Sequence, residues 1–205
     1  MNNTQFFLLR RLHSLVGAMA VGLFLVEHIF TNAFIMNGAE AYNSQIAFLQ
    51  KLPFLHAIEI VFIAMPLAFH AIYGIFITFT ARLHPLRYNY GANWRYVFQR
   101  ITGVIALVFI ILHVYNMRFV QYPSDHDFYR VVAETMSQPG AFIWYAIGLA
   151  SSIFHFVNGI WTALIVWGIT VNVRTQQVCL WGCYLIGLLM FGAGMASLVS
   201  ASPLF

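Results

Sequence analysis

Nine apolar residues in succession, Val104-Ile-Ala-Leu-Val-Phe-Ile-Ile-Leu112, run straight into His113. No charged residue occurs from Ile101 to Met117. A run of this length and polarity crosses a bilayer. There the backbone N–H and C=O groups have only one another as partners, so the segment must be a helix. An imidazole inside it has to be satisfied. A backbone carbonyl or a neighbouring helix would do that, and so would a metal ion.

His28, His70, His113 and His155 each lie in such a run, with separations of 42, 43 and 42 residues. That is the pitch of one span plus one loop. Four unrelated core histidines have no reason to recur at it, which favours ligation. The other four (His13, His56, His84 and His126) fall at span ends or in loops.

The 205 residues are 61% hydrophobic and 8% charged, with mean hydropathy +0.77. An ordinary globular domain is about 25% charged. The expectation is an all-α integral membrane protein, residues 1–205 forming one domain. The net charge of +4 is then read by its position along the membrane and not as a nucleic-acid signal. Cys179 and Cys183 share one helix face and read as small buried hydrophobes. Without Cys-x-x-Cys-His, covalent haem attachment has no support.

Five spans are expected, at about 12–36, 55–81, 96–117, 141–171 and 178–198. Ala18-Met-Ala20 resembles a signal-peptidase site, but the apolar stretch continues past it. Asn37 opens a polar loop. Pro66 should kink the second span one turn before His70. His84-Pro85 belongs to a basic loop, Arg82 to Arg95. Asp125-His126-Asp127 reads as a solvated turn, followed by a short amphipathic helix from Phe128 to Met136.

Five spans put the termini on opposite sides. With the N-terminus inside, the inner segments hold Arg10, Arg11, Arg82, Arg87, Arg95, Arg100 and Arg174, and the outer ones Lys51, Arg118 and Arg130. The positive-inside rule therefore makes the N-terminus cytoplasmic and the C-terminus external, in the cell membrane. At a rise of ~1.5 Å per residue, His28 lies ~25 Å beyond Arg11, and His113 only ~8 Å from Arg118. Both are in the outer half. His70 and His155 fall mid-depth to inner, so the four sort into two levels.

Zinc would need three or four protein ligands. Each level offers two imidazoles, which is what a planar tetrapyrrole needs along its axis. Two stacked haems b in a five-helix bundle are therefore expected, with His28, His70, His113 and His155 as iron ligands. Gly17 and Gly103, 11 and 10 residues before His28 and His113, would leave wall space. Gly74 and Gly159 each follow a histidine by four, in the matched strings Phe69-His70-Ala-Ile-Tyr-Gly74 and Phe154-His155-Phe-Val-Asn-Gly159. Ser14, Trp94, Arg95 and Arg100 toward the inner side, and Arg118 toward the outer, could receive the anionic propionates. The arginines read equally as interfacial anchors.

No G-x-G-x-x-G turn, iron–sulfur cysteine set or P-loop is present, so the chain cannot oxidise a soluble metabolite unaided. A soluble partner would dock on the basic inner loop, and a lipid-soluble quinone is the natural acceptor. Glu27, His56 and Glu59 could move its protons, a carboxyl at the depth of Glu27 being rare and usually functional.

The strings Arg10-Arg-Leu-His-Ser-Leu-Val-Gly17, Gly38-Ala-Glu-Ala-Tyr-Asn-Ser44, Phe69 to Gly74, Gln99-Arg-Ile-Thr-Gly103, Ser152 to Trp161 and Trp167-Gly-Ile-Thr170 carry a resemblance over nearly the whole chain. It resembles the five-helix di-haem cytochrome b subunit of succinate:menaquinone oxidoreductase of Gram-positive bacilli. The resemblance implies axial pairs His70/His155, at a high-potential haem near the cytoplasm, and His28/His113, at a low-potential outer haem. It implies two partners, an FAD flavoprotein and an iron–sulfur subunit. Electrons from succinate would pass through both haems to menaquinone near the outer one. Related fumarate reductases run in reverse. Some of those carry an acidic residue two positions before the fourth ligand, where this chain has Ile153, so their proton route is not implied here. A self-sufficient transmembrane reductase of the cytochrome b561 kind and a histidine-lined transporter are the alternatives. The second is disfavoured by the lack of carboxylates accompanying His70, His113 or His155.

Overall fold

A computed structural model describes residues 2–84, 87 and 89–204. Pro85, in the basic loop, lies outside them. Among the described residues the chain is helical and has no strand. Five helices are long and apolar enough to cross a membrane: α1 Asn3–Asn37, α3 Leu55–Thr80, α4 Gly91–Val120, α6 Pro139–Val166 and α7 Val173–Ala201. Two short helices, α2 Ala39–Gln50 and α5 Phe128–Met136, follow α1 and α4.

Hydropathy locates the spans, but capping chemistry decides where the helices end. The first helix begins at Asn3 rather than Leu12. Asn2 and Gln5 form a capping box, with Asn2 Oδ1 accepting from Gln5 N at 2.8 Å and Asn2 N donating to Gln5 Oε1 at 3.1 Å. Phe6 and Phe7 each lie under the arginine four residues on, Arg10 at 4.4 Å and Arg11 at 4.7 Å. The fourth span stops at Val166, not Val171. Gly168 takes φ 72°, and Gly168 N and Ile169 N return to Ile165 O and Leu164 O, a glycine-terminated helix end that apolar neighbours conceal. The fifth starts at Val173, because Asn172 Oδ1 accepts from Thr175 N at 2.9 Å.

The polar loop expected after Asn37 is instead helix α2. Gly38 supplies the turn at φ 90°, and Tyr42 is buried against the bundle. The amphipathic α5 forms as expected, with Asp127 capping it through Arg130 N at 3.1 Å. Pro66 has no N–H to give to the preceding turn, and Glu59–Ala64 just before it winds as π-helix. Gly17–Val21 in α1 and Tyr115–Val120 in α4 are π-helical too.

Helix α6 is central, packing most extensively on α4 and α7 and also touching α1. Helix α7 packs on α6 and α1. Helix α3 has no buried residue between Met65 and Thr80, and Phe79 and Ile72 stand 83% and 71% exposed. Large apolar side chains facing outward suit a hydrocarbon solvent. Helices α2 and α5 pack together and close one end of the bundle. There Ser202 Oγ, just past α7, donates to Met136 O at 2.9 Å.

Candidate haem sites

The four histidines, on α1, α3, α4 and α6, all line one cavity of about 1770 Å³. This is larger than the ~300–1,000 Å³ typical of a single small-molecule pocket. They meet in two pairs. His70 and His155 have ring centroids 6.0 Å apart, and His28 and His113 5.7 Å apart. Gly17 of α1 backs onto His70, so the two levels are separated along that helix by the 11 residues from Gly17 to His28, about 16 Å.

At the His70–His155 level the backbone orients both rings. His70 Nδ1 lies 3.2 Å from His13 O, and His155 Nδ1 lies 2.9 Å from Gln99 O. A carbonyl only accepts, so each Nδ1 carries the proton and each Nε2 keeps its lone pair. That is the tautomer a metal-binding imidazole needs. Glycine makes these bonds possible. A Cβ on Gly17 would collide with His70 Cε1 and stand 2.6 Å from its Nδ1, and one on Gly103 would stand 2.8 Å from His155 Cε1. The two glycines thus serve histidines on facing helices, not those further along their own. Each accepting carbonyl sits four residues before its glycine.

The side chains of His13 and Gln99 occupy equivalent places. His13 stacks on His70 at 4.1 Å and 5°, opposite Gly74. Gln99 Nε2 donates to His155 O at 2.9 Å, opposite Gly159, and Gln99 Oε1 accepts from Asn158 Nδ2 at 2.6 Å. Asn158 is only 1% exposed.

At the other level the partners are side chains. His113 Nδ1 lies 3.2 Å from Tyr145 Oη. Asn32 Nδ2 donates to His28 O at 2.8 Å and stands 3.4 Å from His28 Nε2. Tyr42, whose phenol burial pushes up to about 12, donates to Asn32 Oδ1 at 3.0 Å.

These features fit two bis-imidazole centres. Metal–imidazole bonds of about 2 Å on either side of an iron are compatible with rings ~6 Å apart. Among the described residues no three His, Cys, Asp or Glu side chains gather as a metal cluster. Buried side-chain nitrogens without a hydrogen-bond partner, which anionic carboxylates could engage, collect along the cavity: Arg11 Nε, His13 Nε2, Arg95 Nε and Arg100 Nε. All four residues line the cavity, as does Ser14. Trp94 does not; its indole N–H is given to Asn89 Oδ1 at 2.8 Å.

Arg118 and Glu59 form an ion pair at 3.0 Å, side chains 41% and 35% exposed, and both line the cavity. Each stands on a π-helical turn, a backbone irregularity frequent at functional sites. Glu27 also lines the cavity and accepts from Thr31 Oγ1 at 2.5 Å. His56 is exposed and away from it. Sequence reasoning does not single out His13, Gln99, Asn32, Tyr145 or Asn158 as partners. The signal available for the first two is a repeat. His13 and Gly17 recur as Gln99 and Gly103 86 residues later, and His28, His70 and Gly74 recur 85 residues later as His113, His155 and Gly159.

A sequence model of the family described as "Succinate dehydrogenase/Fumarate reductase transmembrane subunit" matches residues 78–194. The chain is also 42% identical over 178 residues, 87% of its length and 88% of the relative's, to the "Succinate dehydrogenase cytochrome b558 subunit" of Bacillus subtilis (strain 168). The chain belongs to the succinate dehydrogenase/fumarate reductase transmembrane subunit family. It is a membrane cytochrome b subunit of that family, and its five apolar helices are those of a multi-pass membrane protein. Within this family the two histidine pairs gain a specific chemical meaning.

Proposed function

We propose that this chain anchors a succinate:menaquinone oxidoreductase in the cell membrane and binds two haems b. His70 with His155 would hold the one nearer the cytoplasm, and His28 with His113 the outer one. The observation that carries this reading is two imidazole pairs at two heights in one cavity, two of the imidazoles locked by carbonyls in the ligating tautomer. Bound there, haem b supplies a one-electron carrier at each level.

The protein's own residues then have definite tasks. Arg11, His13, Arg95 and Arg100, with Ser14, receive the inner propionates, the buried Nε–H groups of the three arginines otherwise lacking acceptors. Glu59, held by Arg118 at the outer edge of the cavity, and Glu27 are the groups placed to exchange protons with menaquinone there. His56, off the cavity, is a weaker candidate for that work and Arg118 a weaker propionate partner, being committed to Glu59. The N-terminus is cytoplasmic and the C-terminus external. The basic inner segments around Arg10, Arg82 and Arg95 dock an iron–sulfur subunit, which in turn carries an FAD flavoprotein. The relative's name favours succinate oxidation, whereas the family description covers fumarate reduction as well.

An optical redox titration of the complex purified through this chain tests the reading. Two b-type haems with separate midpoints and co-purifying flavin are expected. His113→Ala should remove one haem and leave the other. Full occupancy of both in that variant would refute the pairing. Reduction of the isolated chain by ascorbate, with turnover and no soluble subunits, would instead favour a b561-like enzyme.

A further inference from the structure

The two pairs differ in what holds their second ring nitrogen. His70 and His155 each give Nδ1–H to a peptide carbonyl, whereas His113 Nδ1 faces Tyr145 Oη at 3.2 Å. Tyr145 is fixed in place. Its ring meets His113 edge-on at 5.6 Å and Phe109 edge-on at 5.3 Å, and Phe109 in turn stacks on His113 at 5.6 Å and 21°. A carbonyl can only accept, whereas a phenol accepts or donates. When His113 Nε2 binds a metal, Nδ1 must carry the proton and Tyr145 Oη must accept it. A phenolic oxygen is a poorer acceptor than a peptide carbonyl, yet better than none. An imidazole whose N–H is accepted is a more basic ligand, and basic ligands favour the oxidised metal. His28 shows no equivalent among the described residues, the Asn32 amide standing 3.4 Å from its Nε2 and not at Nδ1.

We infer that Tyr145 is a positioning residue for His113: its hydroxyl holds the ring and accepts the Nδ1 proton when Nε2 is ligated, and so sets the potential of the outer haem independently of the inner one. The inference rests on the two-haem reading above.

Two variants of the whole complex test it, Tyr145→Phe and 3-fluorotyrosine placed at position 145. The second keeps the hydroxyl and ring size and weakens the oxygen as an acceptor. In Tyr145→Phe, at the potential where the wild-type outer haem is half reduced, the reduced-to-oxidised ratio should rise about threefold, a midpoint shift of about 28 mV at 59 mV per decade for one electron. Fluorotyrosine should shift it less in the same direction. The inner haem's midpoint should not move in either. An unmoved outer midpoint, or equal movement of both haems, overturns the inference. If Tyr145→Phe sheds the outer haem altogether, the fluorotyrosine protein decides: a raised outer midpoint upholds the inference and a wild-type midpoint overturns it. A wild-type complex without two b haems would instead refute the reading on which the inference stands.

Discussion

Gly17 belongs by sequence to His28, 11 residues further along the same helix, but in three dimensions it belongs to His70. Gly17→Ala separates the two relations. The new methyl would overlap His70 Cε1 and stand 2.6 Å from Nδ1, closer than real side chains approach. Backbone cannot yield easily here, because the turn at Gly17–Val21 packs on both α3 and α6. The imidazole must therefore move, and its bond to His13 O is lost. Overpacking costs about 1–3 kcal/mol, and the lost hydrogen bond about 0.5–1.5 kcal/mol. A combined penalty of about 2 kcal/mol or more weakens haem retention thirtyfold or more. Haem content per polypeptide, with a potentiometric titration to say which haem remains, reads this directly. The expected result is loss of the His70–His155 haem with the outer one retained. Gly103→Ala should act on the same haem more mildly, since its methyl would stand 3.0 Å from His155 Nδ1. Loss of the outer haem, or two haems with unchanged midpoints, would refute the reasoning.

Asn158→Ala removes the amide that satisfies Gln99 Oε1 in a site 1% exposed; the orphaned carbonyl should cost about 1–3 kcal/mol, visible as a lowered Tm of the detergent-solubilised complex. Glu59→Gln breaks an ion pair more than a third exposed, worth ~0–1 kcal/mol at most, so Tm should hardly change while menaquinone reduction falls. Unchanged turnover would remove Glu59 from proton exchange. The Asn43 amide, donating to Asp127 Oδ1 with Arg130 close by, holds the Asp127 carboxyl below the usual range. The Asp127 N–H, with Arg130 again assisting, does the same for Asp125. Carboxylates depressed in the folded state stabilise it above their unfolded pKa of ~3.9 and cease to as pH falls through the folded value. Protection of the amides over 125–136, taken relative to their intrinsic exchange at each pH, should therefore be constant from pH 7 to 5 and fall only below about pH 4. A loss of protection between pH 7 and 5 would contradict the assignment.

Much of this architecture is legible in the chain because a membrane permits few solutions. Apolar runs announce the spans, and four histidines at a span-plus-loop pitch announce a shared task. Caps and carbonyls are less visible. Asn172 and Gly168 end helices within stretches that hydropathy reads as continuous. Helix α2 hides behind polar residues because it caps the bundle and does not cross it. Trp94 looks like a propionate donor until its N–H is found on Asn89, five residues back. The acceptors that set the tautomers of His70 and His155 are main-chain oxygens, which no residue type encodes.

The offset of 85 or 86 residues explains why so few residues suffice. Helices α1, α2 and α3 correspond to α4, α5 and α6, and each histidine pair joins one position to its own counterpart: His28 to His113, His70 to His155. A planar group gripped from both faces by the same donor asks for two copies of one half-site facing each other, and an internal repeat supplies them. Helix α7 has no counterpart, carries none of the four histidines and packs against the outside of α6 and α1. Function must then reside where the halves disagree. At the His70–His155 level the change is His13 against Gln99, one stacking on the facing imidazole and the other bonding to its backbone. At the other level Glu59 and Ile60 stand where the second half has Trp144 and Tyr145. The exchange puts a carboxylate, paired with Arg118, at the cavity edge on α3, and a hydroxyl on His113 from α6. On the proposed two-haem reading the symmetric parts would grip the cofactors, and these substitutions make one end of the cavity chemically different from the other, as the proposed passage from a soluble donor to a lipid-borne acceptor would require.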